Sequence, residues 1–371
     1  MRRGIVMIGP RRDVRGGVSA MVNVCHDHGL FDRWHARYLA THRDGSKLLK
    51  AWQAARSLFV FLGWLLAGRV ALLHVHIASD ASFWRKSLFI VPARLLRVPY
   101  LLHMHGGNFI EFYRARSRPV RRFIRWIYGG ARCVIALSEE WRVALSAVEP
   151  RCIQVIANPV SIPSWRPAPE GVPRVLFLGI VCERKGVHDL VRAWPAVLRR
   201  VPDARLVLAG SGEVDAARAL AEELGVAGSV ETPGWILGED KARLLREASV
   251  FTLPSHYEAL PMSVLEAMAA GLPVVATRVG GVPTAIDDGH SGIILEPRDV
   301  EGLARALTML LTDAPARHRV GEAARCAARE RFSADALVPR LEALWSEIAP
   351  GCVHAAHSPK EPPRAFLGRR A

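Results

Sequence analysis

The feature that most constrains the fold is a proline-rich segment between two series of strands, loops and helices. Residues 161–173 hold four prolines in thirteen residues, which is typical of a linker. Before it, short aliphatic runs predict buried strands at residues 4–9, 70–78, 99–107, 131–138 and 152–160. After it, similar runs predict strands, with the turns that follow some of them, at residues 174–180, 204–213, 248–255, 272–281 and 292–297. Strands that alternate with helices in this way are typical of α/β proteins with parallel sheets.

We therefore predict an α/β fold of two doubly wound, Rossmann-like domains that face a cleft. The chain has 371 residues, half of them apolar, which is enough for two cores. The predicted segments are a first domain at 1–160, a hinge linker at 161–173, a second domain at 174–330, a C-terminal helix returning toward the first domain at 331–349, and a disordered tail at 350–371. Ligands of such folds bind beyond the carboxyl ends of the strands. The loops at those ends are therefore expected to line one cleft.

The net charge of +15 is concentrated in the first domain. Residues 1–165 hold 25 Lys and Arg against 9 Asp and Glu, whereas the rest of the chain holds 25 against 26. This asymmetry predicts an anionic partner for the first domain: a membrane surface, a phosphorylated lipid or a nucleic acid. An arginine-rich genome is the alternative explanation, but it would raise the arginine content of both halves alike.

The sequence predicts no secretion signal and no membrane-spanning helix. The most apolar run, residues 58–68, has eleven residues before Arg69, whereas a spanning helix needs about 20. It is expected to be a core helix or a helix lying in a membrane interface. The six cysteines form no CxxC pair, so we expect reduced, mostly buried thiols in a cytoplasmic protein.

Two loops have the composition of a phosphate-binding site. In GIVCERKG, Arg184 and Lys185 lie between a strand end and a helix start, where cations and free amides suit a diphosphate. In RGGVSAMV, Gly16 and Gly17 precede a helix and allow a phosphate or a sugar to approach the backbone. Each loop alone is equally compatible with a solvated turn. A third loop, AGSGE, lacks the full GxGxxG spacing, which disfavours a nicotinamide cofactor.

The block PSHYEALPMSVLEAMAAGLPVVAT holds two acids with seven residues between them, Glu258 and Glu266. Ser263 and Glu266 fit a capping box, which would make Glu266 a structural residue. Glu258 has no such explanation. It precedes a predicted helix start, where free amides and the positive end of the helix dipole favour an anion. A diphosphate bound there would lie between the two carboxylates.

His103 and His105 alternate along a strand end and are expected to face the same side. No third or fourth ligand follows at metal-binding spacing, and the doublet at residues 287–288 is not an Asp-x-Asp clamp. We therefore expect no metal and no cofactor.

Taken in order, these segments resemble the retaining, GT-B-fold glycosyltransferases of the group 1 type (family 4). The most specific match is the E-x7-E block followed by VGGVPTAIDDGHSGIILEPRD. Supporting matches are GGVSAMV, LLHVH, LHMHGG, VIANPV, FLGIVCERKG and LAGSGE. The resemblance covers residues 4–349.

The resemblance implies a role for each matched residue. His105 and Glu258 would be the catalytic residues beside the donor sugar, and Glu266 would bind the ribose hydroxyls of the nucleotide. The other implied donor-binding residues are Gly16, Gly17, Arg184, Lys185, Leu260, Pro261, Met262 and Ser263. Two positions depart from the family pattern: Ile180 stands where the family commonly has Arg, and Thr284 stands where it often has Glu.

The implied activity is hexosyl transfer with retention, without a metal, from a UDP- or GDP-linked sugar. The acceptor would be a membrane-associated, polyprenyl-diphosphate-linked saccharide in bacterial surface polysaccharide synthesis. The first domain would bind this acceptor or an anionic inner-membrane surface, so the protein would be cytoplasmic and peripheral on the plasma membrane. The arginines expected at that contact are Arg114, Arg116, Arg118, Arg121, Arg122 and Arg125.

Three other functions remain as alternatives. A nucleotide-sugar epimerase or hydrolase would share the fold, although the E-x7-E block disfavours it. A nucleic-acid-binding protein would explain the charge but has no recognition motif here. A catalytically inactive partner subunit would explain Ile180.

Overall fold

The computed structural model describes residues 3–168 and 171–352. It contains two six-stranded sheets, all of whose strand pairs are parallel, with helices on both faces. The predicted doubly wound α/β fold is therefore confirmed. Part of the predicted linker, residues 169–170, and most of the predicted disordered tail, residues 353–371, lie outside the described residues.

The first domain begins at the first strand and runs to the linker. Its elements are β1 (Gly4–Pro10), α1 (Gly17–Asp27), α2 (Leu30–Trp34), β2 (Arg37–His42), α3 (Lys47–Leu66), β3 (Val70–Ile77), α4 (Asp80–Leu95), β4 (Tyr100–Met104), α5 (Phe109–Arg114), α6 (Arg118–Gly129), β5 (Cys133–Ala136), α7 (Glu139–Leu145) and β6 (Ile153–Val155).

The second domain repeats the pattern and ends in three long helices. Its elements are β7 (Arg174–Leu178), α8 (Val187–Leu198), β8 (Arg205–Ala209), α9 (Val214–Glu223), β9 (Val230–Glu231), α10 (Gly238–Glu247), β10 (Val250–Leu253), α11 (Met262–Ala270), β11 (Val274–Thr277), α12 (Val282–Ala285), β12 (Ile293–Leu295), α13 (Val300–Thr312), α14 (Ala314–Arg331) and α15 (Ala334–Ile348). Among the described residues, no helix is both long enough and apolar enough to span a bilayer.

The strand order places a crevice in each sheet. The first sheet has the order β2-β1-β3-β4-β5-β6 and the second β12-β11-β10-β7-β8-β9. The order therefore reverses between β1 and β3 in the first domain and between β7 and β10 in the second. Loops that leave the strands on either side of such a reversal diverge to opposite faces, which opens a ligand crevice between them.

Alternation along the buried strands separates two cores. In β1, Ile5 and Met7 face a core that is continuous with that of the second domain, whereas Val6 and Ile8 face the core beneath α3, α4 and α6. Both faces of the strand are therefore covered. This explains why the sequence reads as an uninterrupted apolar run and not as an alternating one.

The chain crosses between the domains twice, and the two crossings are joined. The amide of Val160 donates to the carbonyl of Phe332 at 2.8 Å, and the amide of Ala334 donates to the carbonyl of Val160 at 3.0 Å. Beyond this contact, α15 packs on the first domain, where the Trp345 ring meets the Trp34 ring edge-on at 5.6 Å. Arg33 also binds Glu342 at 2.7 Å. The C-terminal helix thus lies against the domain that the chain left at the linker.

The expectation that all six cysteines are reduced is wrong for one pair. Cys133, the first residue of β5, forms a disulfide with Cys152, which precedes β6. These parallel strands are neighbours, and the amide of Val134 donates to the carbonyl of Cys152 at 2.9 Å. This contact brings together two cysteines that are 19 residues apart in sequence, a distance that no short motif reports. The other four cysteines are free.

Arg325 of α14 anchors the linker to the second domain. Its buried guanidinium donates to the carbonyls of Trp165 at 3.1 Å and Ala269 at 3.0 Å, and also to those of Pro163 and Ala270. Lysine cannot reproduce this planar set of donors.

We expect Arg325→Lys to lower the free energy of unfolding by about 1–3 kcal/mol, because it leaves buried carbonyls without donors. Urea unfolding followed by circular dichroism measures the change. Arg329→Lys, on an exposed position of the same helix, is the matched control and should leave the midpoint unchanged. An equal shift in both variants would contradict the role assigned to Arg325.

Candidate functional site

A cleft of about 1490 Å³ lies between the two domains. It is lined by the loops after β1, β4, β7 and β10, which include the loops at both strand reversals. The eleven residues predicted as catalytic or donor-binding all line it: Gly16, Gly17, His105, Arg184, Lys185, Glu258, Leu260, Pro261, Met262, Ser263 and Glu266. The six predicted acceptor arginines do not.

Lys185 and Glu258 form an ion pair on the floor of the cleft. Lys185 follows β7 and Glu258 follows β10, so the strand reversal brings the two loops together. Both side chains are mostly buried, and the hydroxyl of Ser255 donates to the same carboxylate at 2.8 Å. Gly280 lies against the carbonyl of Glu258 with a φ of +49°, where a side chain would collide with it. These contacts fix both charges in position.

The helix α11 presents free amides to the cleft. It begins at Met262, directly after Pro261, and no side chain caps it. The amides of Met262, Ser263 and Val264 therefore have no partner within the helix. They lie beside the ion pair of Lys185, and together these groups make a site for an anion.

The predicted capping box at Ser263 and Glu266 is wrong. Proline occupies the cap position, so the helix begins one residue before Ser263, and Ser263 is a helical residue. Glu266 binds Lys241 of α10 at 2.8 Å instead. The carboxylate lies at the cleft and is free of the structural role that the spacing had suggested.

The first domain approaches this anion site through Gly16 and Gly17. Gly16 precedes α1 with a φ of +142°, a conformation that favours glycine. A side chain on Gly17 would place its Cβ 3.1 Å from Cγ of Met262 in α11. The paired glycines therefore allow the amino ends of two helices, one from each domain, to face each other across the cleft.

Two further contacts cross the cleft. The hydroxyl of Tyr257 donates to Oε2 of Glu111 at 2.9 Å. Burial, reinforced by the charge of Glu111, raises the pKa of Tyr257, so the phenol keeps its proton. Asn158 donates from Nδ2 to the carbonyl of Leu260 at 3.3 Å, while its buried Oδ1 has no partner among the described residues. That oxygen remains free to accept a hydrogen bond from a ligand.

His105 belongs to a group of four histidines on β3 and at the end of β4. Parallel pairing places His76 opposite His103, and Nδ1 of His76 lies 2.9 Å from Nε2 of His105. Nε2 of His74 lies 3.3 Å from Nδ1 of His103, and the indole of Trp345 donates to Nδ1 of His74 at 3.1 Å. The sequence motifs had suggested no third or fourth metal ligand, whereas the fold brings four imidazoles together.

Three of these imidazoles, those of His74, His76 and His103, each place one ring nitrogen within 4.8 Å of the others, a spacing that a metal ion could bridge. An indole can only donate, so His74 accepts at Nδ1 and carries its proton on Nε2. It then donates to Nδ1 of His103, whose own proton must lie on Nε2. A metal ligand needs an unprotonated nitrogen, so binding through His103 would break the bond from Trp345.

The cluster is neutral at physiological pH. Burial lowers the pKa of His74 to about 3, with a smaller contribution from His105. Burial likewise lowers the pKa of His105 to about 3, assisted by the charge of Lys86. His105 therefore presents a neutral imidazole to the cleft, which can donate or accept a hydrogen bond from a sugar hydroxyl.

The six predicted arginines do not form one helix. The helix α5 ends at Arg114, and α6 starts at Arg118 with Pro119 in its first turn. Arg116, between them, binds Asp80 at 3.1 Å. The arginines of α6 surround a separate depression of about 610 Å³, and the residues at its wall are Tyr113, Arg118, Pro119, Arg121, Arg122 and Arg125.

The two residues that depart from the family pattern, Ile180 and Thr284, lie in different surroundings. Ile180 is 46% exposed at the cleft, where it supplies no charge to an anion. Arg184 lies nearby and donates from Nη1 to the carbonyl of Tyr257 at 3.3 Å. Thr284 lies on α12, where its backbone carbonyl accepts from Arg331.

Sequence motifs missed Lys241, Trp235 and Asn158 as cleft residues. Lys241 is one of several charges in α10 and carries no local signal. The guanidinium of Arg15 lies 5.8 Å from the ring centre of Trp235, a contact between the domains that no spacing reports. Asn158 was part of a matched segment, VIANPV, and its position at the end of the strand series was the available clue.

Two doubly wound domains around one cleft, with a helix amino end, a lysine and two carboxylates at its floor, form the architecture of the GT-B class. Residues 164–326 match the model of the glycosyl transferases group 1. The match covers most of the second domain and agrees with the resemblance drawn from the motifs there.

Curated relatives match about half of the chain. The chain is 35% identical over 192 residues to a glycogen synthase of Mycobacterium tuberculosis, which covers 49% of this chain and 44% of the relative. It is 36% identical over 170 residues to the lipopolysaccharide core biosynthesis glycosyltransferase LpsE of Rhizobium meliloti, with 46% of this chain and 48% of the relative covered. The matches thus span less than half the length of these relatives.

The structural similarity covers more of the chain than the sequence similarity does. The structure of a sucrose-phosphate synthase from Thermosynechococcus elongatus superposes with a TM-score of 0.77 at 20% identity. The superposition covers 94% of this chain and 100% of that one. The shared architecture therefore includes the first domain.

Proposed function

We propose that this protein is a retaining glycosyltransferase that moves a hexose from a UDP- or GDP-sugar to a lipid-linked saccharide at a membrane surface. One observation carries the proposal. Lys185 and Glu258, from loops on either side of a strand reversal, meet at the uncapped amino end of α11 inside a cleft between two domains.

This arrangement suits a nucleotide diphosphate as leaving group. Negative charge grows on the departing diphosphate, where the Lys185 ammonium and the free amides of α11 would stabilise it. Gly16 and Gly17 would close over the same group from α1. These groups supply the charge stabilisation that a metal ion supplies in other transferases, and we propose that no metal is required.

The carboxylates have separate roles in this proposal. Glu258 is occupied by Lys185 and Ser255, so it is poorly placed to attack the sugar carbon as a nucleophile. Its charge would instead stabilise the oxocarbenium-like carbon beside it. Glu266 lies in the second turn of α11 and would accept hydrogen bonds from the ribose hydroxyls. Lys241, its partner in the structure, would move aside to allow these bonds.

Retention then follows from attack on the leaving-group face. The bond between the anomeric carbon and the diphosphate oxygen breaks while the acceptor oxygen bonds to the same carbon from the same side. The acceptor proton passes to the departing phosphate oxygen. The neutral His105 would hold a sugar hydroxyl during this step.

The acceptor site is proposed on the first domain. The depression beside α6 collects four arginines around one tyrosine, which suits the diphosphate of a lipid-linked acceptor or an anionic headgroup. A cytoplasmic, peripheral position on the inner membrane surface follows, in a pathway that builds bacterial surface polysaccharide.

Two measurements test the proposal. A thermal-shift screen with UDP, GDP and ADP should show one preferred nucleotide, since a ligand at 100 times its Kd stabilises the folded state by about 2.7 kcal/mol. Release of that nucleotide from its sugar should then require membrane extract as a source of acceptor. Equal release without extract would indicate a hydrolase or epimerase, and no stabilisation by any nucleotide would contradict the proposal.

We expect Glu266→Gln to weaken binding of the preferred nucleotide by about 10- to 100-fold, because a charge-assisted hydrogen bond to the ribose is lost. Isothermal titration calorimetry measures the Kd. Glutamine keeps the size of the side chain and can still accept from Lys241, so the melting temperature without ligand should change little. Unchanged affinity together with a lower melting temperature would show that Glu266 is a structural residue.

A further inference from the structure

The outer surface of α3 carries an apolar stripe. Leu48, Phe59 and Leu66 are 83%, 81% and 78% exposed, and Trp52 is also exposed. Their spacings of four, seven and seven residues place all four side chains on one side of the helix. This stripe runs the full length of a 20-residue helix and faces away from the core.

The buried side of the same helix is partly polar. Gln53 and Ser57 are buried, and both donate to the carbonyl of Ala40, at 2.8 and 2.6 Å. A surface helix normally turns its apolar residues inward. Here Phe61 and Leu65 point inward beside the amide and hydroxyl groups, whereas the side chains of the stripe point outward, so burial in the core does not explain the stripe. A contiguous exposed apolar surface of this kind marks an interaction site.

The stripe continues onto α4 and α6. The rings of Phe61 and Phe89 meet at 5.5 Å beneath the surface and hold α3 and α4 side by side. On the surface of α4, Trp84, Leu88 and Leu95 are exposed at the same helical spacing. Trp84 stacks on Phe123 of α6 at 5.9 Å, and Phe123 stacks on Trp126 at 5.9 Å. We call these residues the apolar ridge: Leu48, Trp52, Phe59, Leu66, Trp84, Leu88, Leu95, Phe123 and Trp126.

The ridge lies among cations. The helices α3, α4 and α6 contain ten Lys and Arg, of which Lys86 alone is buried, and a single acid, Asp80, which is bound to Arg116. One of the arginines, Arg94, places its guanidinium 4.1 Å from the ring centre of Trp126. Apolar and tryptophan side chains among basic groups match the boundary between acyl chains and anionic headgroups.

A second copy of the chain is a poor occupant for this face. A two-fold interface would bring each ridge against the same ridge of its partner. Each copy would then bring nine Lys and Arg and one acid to the interface, an arrangement that like-charge repulsion opposes. The charge of the face is complementary only to an anionic partner.

We propose that the apolar ridge inserts into the interfacial layer of an anionic bilayer and holds the first domain against it. This inference rests on the proposed peripheral location and adds the face and the side chains that touch the lipid. The proposal predicts insertion in addition to electrostatic adsorption, because the apolar side chains of α3 would move from water into the interfacial layer of the bilayer.

The ridge also ends beside the cleft. Trp84 lies in the second turn of α4, and Ser79, just before that helix, donates to Asn108 at the cleft wall. A headgroup held at this end of the ridge would enter the cleft directly from the membrane surface.

The test is flotation with vesicles of phosphatidylcholine, with and without phosphatidylglycerol, for three proteins. The wild type should float with the anionic vesicles. The double variant Phe59→Ser/Leu66→Ser should lose about tenfold or more in partition coefficient, because two exposed apolar side chains no longer enter the bilayer. Met309→Ser, an exposed methionine on α13 of the second domain, is the matched control and should float as the wild type does.

Two outcomes would overturn the inference. One is flotation of the double variant equal to that of the wild type. The other is a wild-type dimer in analytical ultracentrifugation that the double variant abolishes, which would assign the ridge to a second copy. Thermal stabilisation by the preferred nucleotide should be the same in all three proteins and shows that each is folded. Vesicle binding without any nucleotide binding would leave the ridge in place and contradict the proposed transferase instead.

Discussion

Replacing Glu258 by Gln is expected to lower kcat by about 10²- to 10³-fold, the loss seen when one preorganised electrostatic contact to a transition state is removed. The amide retains the size of the side chain and can still accept from Ser255 and Lys185. It lacks the negative charge that would stabilise the oxocarbenium-like carbon. The Kd for the nucleotide should change only a few-fold, because Glu258 is proposed to act on the sugar and not on the ribose.

Initial rates of nucleotide release in the presence of acceptor, combined with calorimetric Kd values, separate these two effects. Glu183→Gln is the matched control, because Glu183 is an exposed acid in the loop of Lys185. It should leave both kcat and Kd unchanged. A Glu258→Gln variant with normal kcat would remove Glu258 from the mechanism.

Replacing Lys185 by Met is expected to have two consequences. The diphosphate loses its ammonium, so kcat/KM should fall by about 10²- to 10³-fold. The Glu258 carboxylate also loses its partner while remaining buried, and breaking one side of a buried pair costs about 3–5 kcal/mol of stability. Steady-state kinetics and urea unfolding measure these two effects independently.

The double variant Lys185→Met/Glu258→Gln distinguishes the two consequences. It removes the unpaired charge, so much of the lost stability should return while the activity stays low. Lys185→Arg keeps the charge and should retain part of the activity. Recovery of activity in the double variant would mean that Lys185 serves only to neutralise Glu258.

The fold could be predicted because its signals are local. The apolar runs of β1 and β3 and the prolines at 161–173 are visible in short windows of sequence, and parallel α/β topology follows from their alternation with helices. Gly16, Lys185, Glu258 and Glu266 could be proposed for the same reason, since each lies in a short loop or block next to a strand end.

The missed features join segments that are far apart in the sequence. The bond from Trp345 to His74 spans 271 residues, and the pair of Lys241 with Glu266 depends on how α10 packs beside α11. The capping box failed for a local reason: Pro261 took the cap position that the spacing had assigned to Ser263. The exposed side of α3 could not be known from its composition, because the same apolar residues would suit a core helix until the sheet beneath it is placed.

The hydrogen bonds that join the two crossings at Val160 and Ser333 determine how the molecule can open. Two separate connections between domains would allow sliding and twisting as well as rotation, whereas two connections held together at one point leave rotation about that point as the easiest motion. Sugar nucleotide entry and diphosphate exit would then use the same mouth, one after the other. The rate of opening at this pivot would then set an upper limit on turnover.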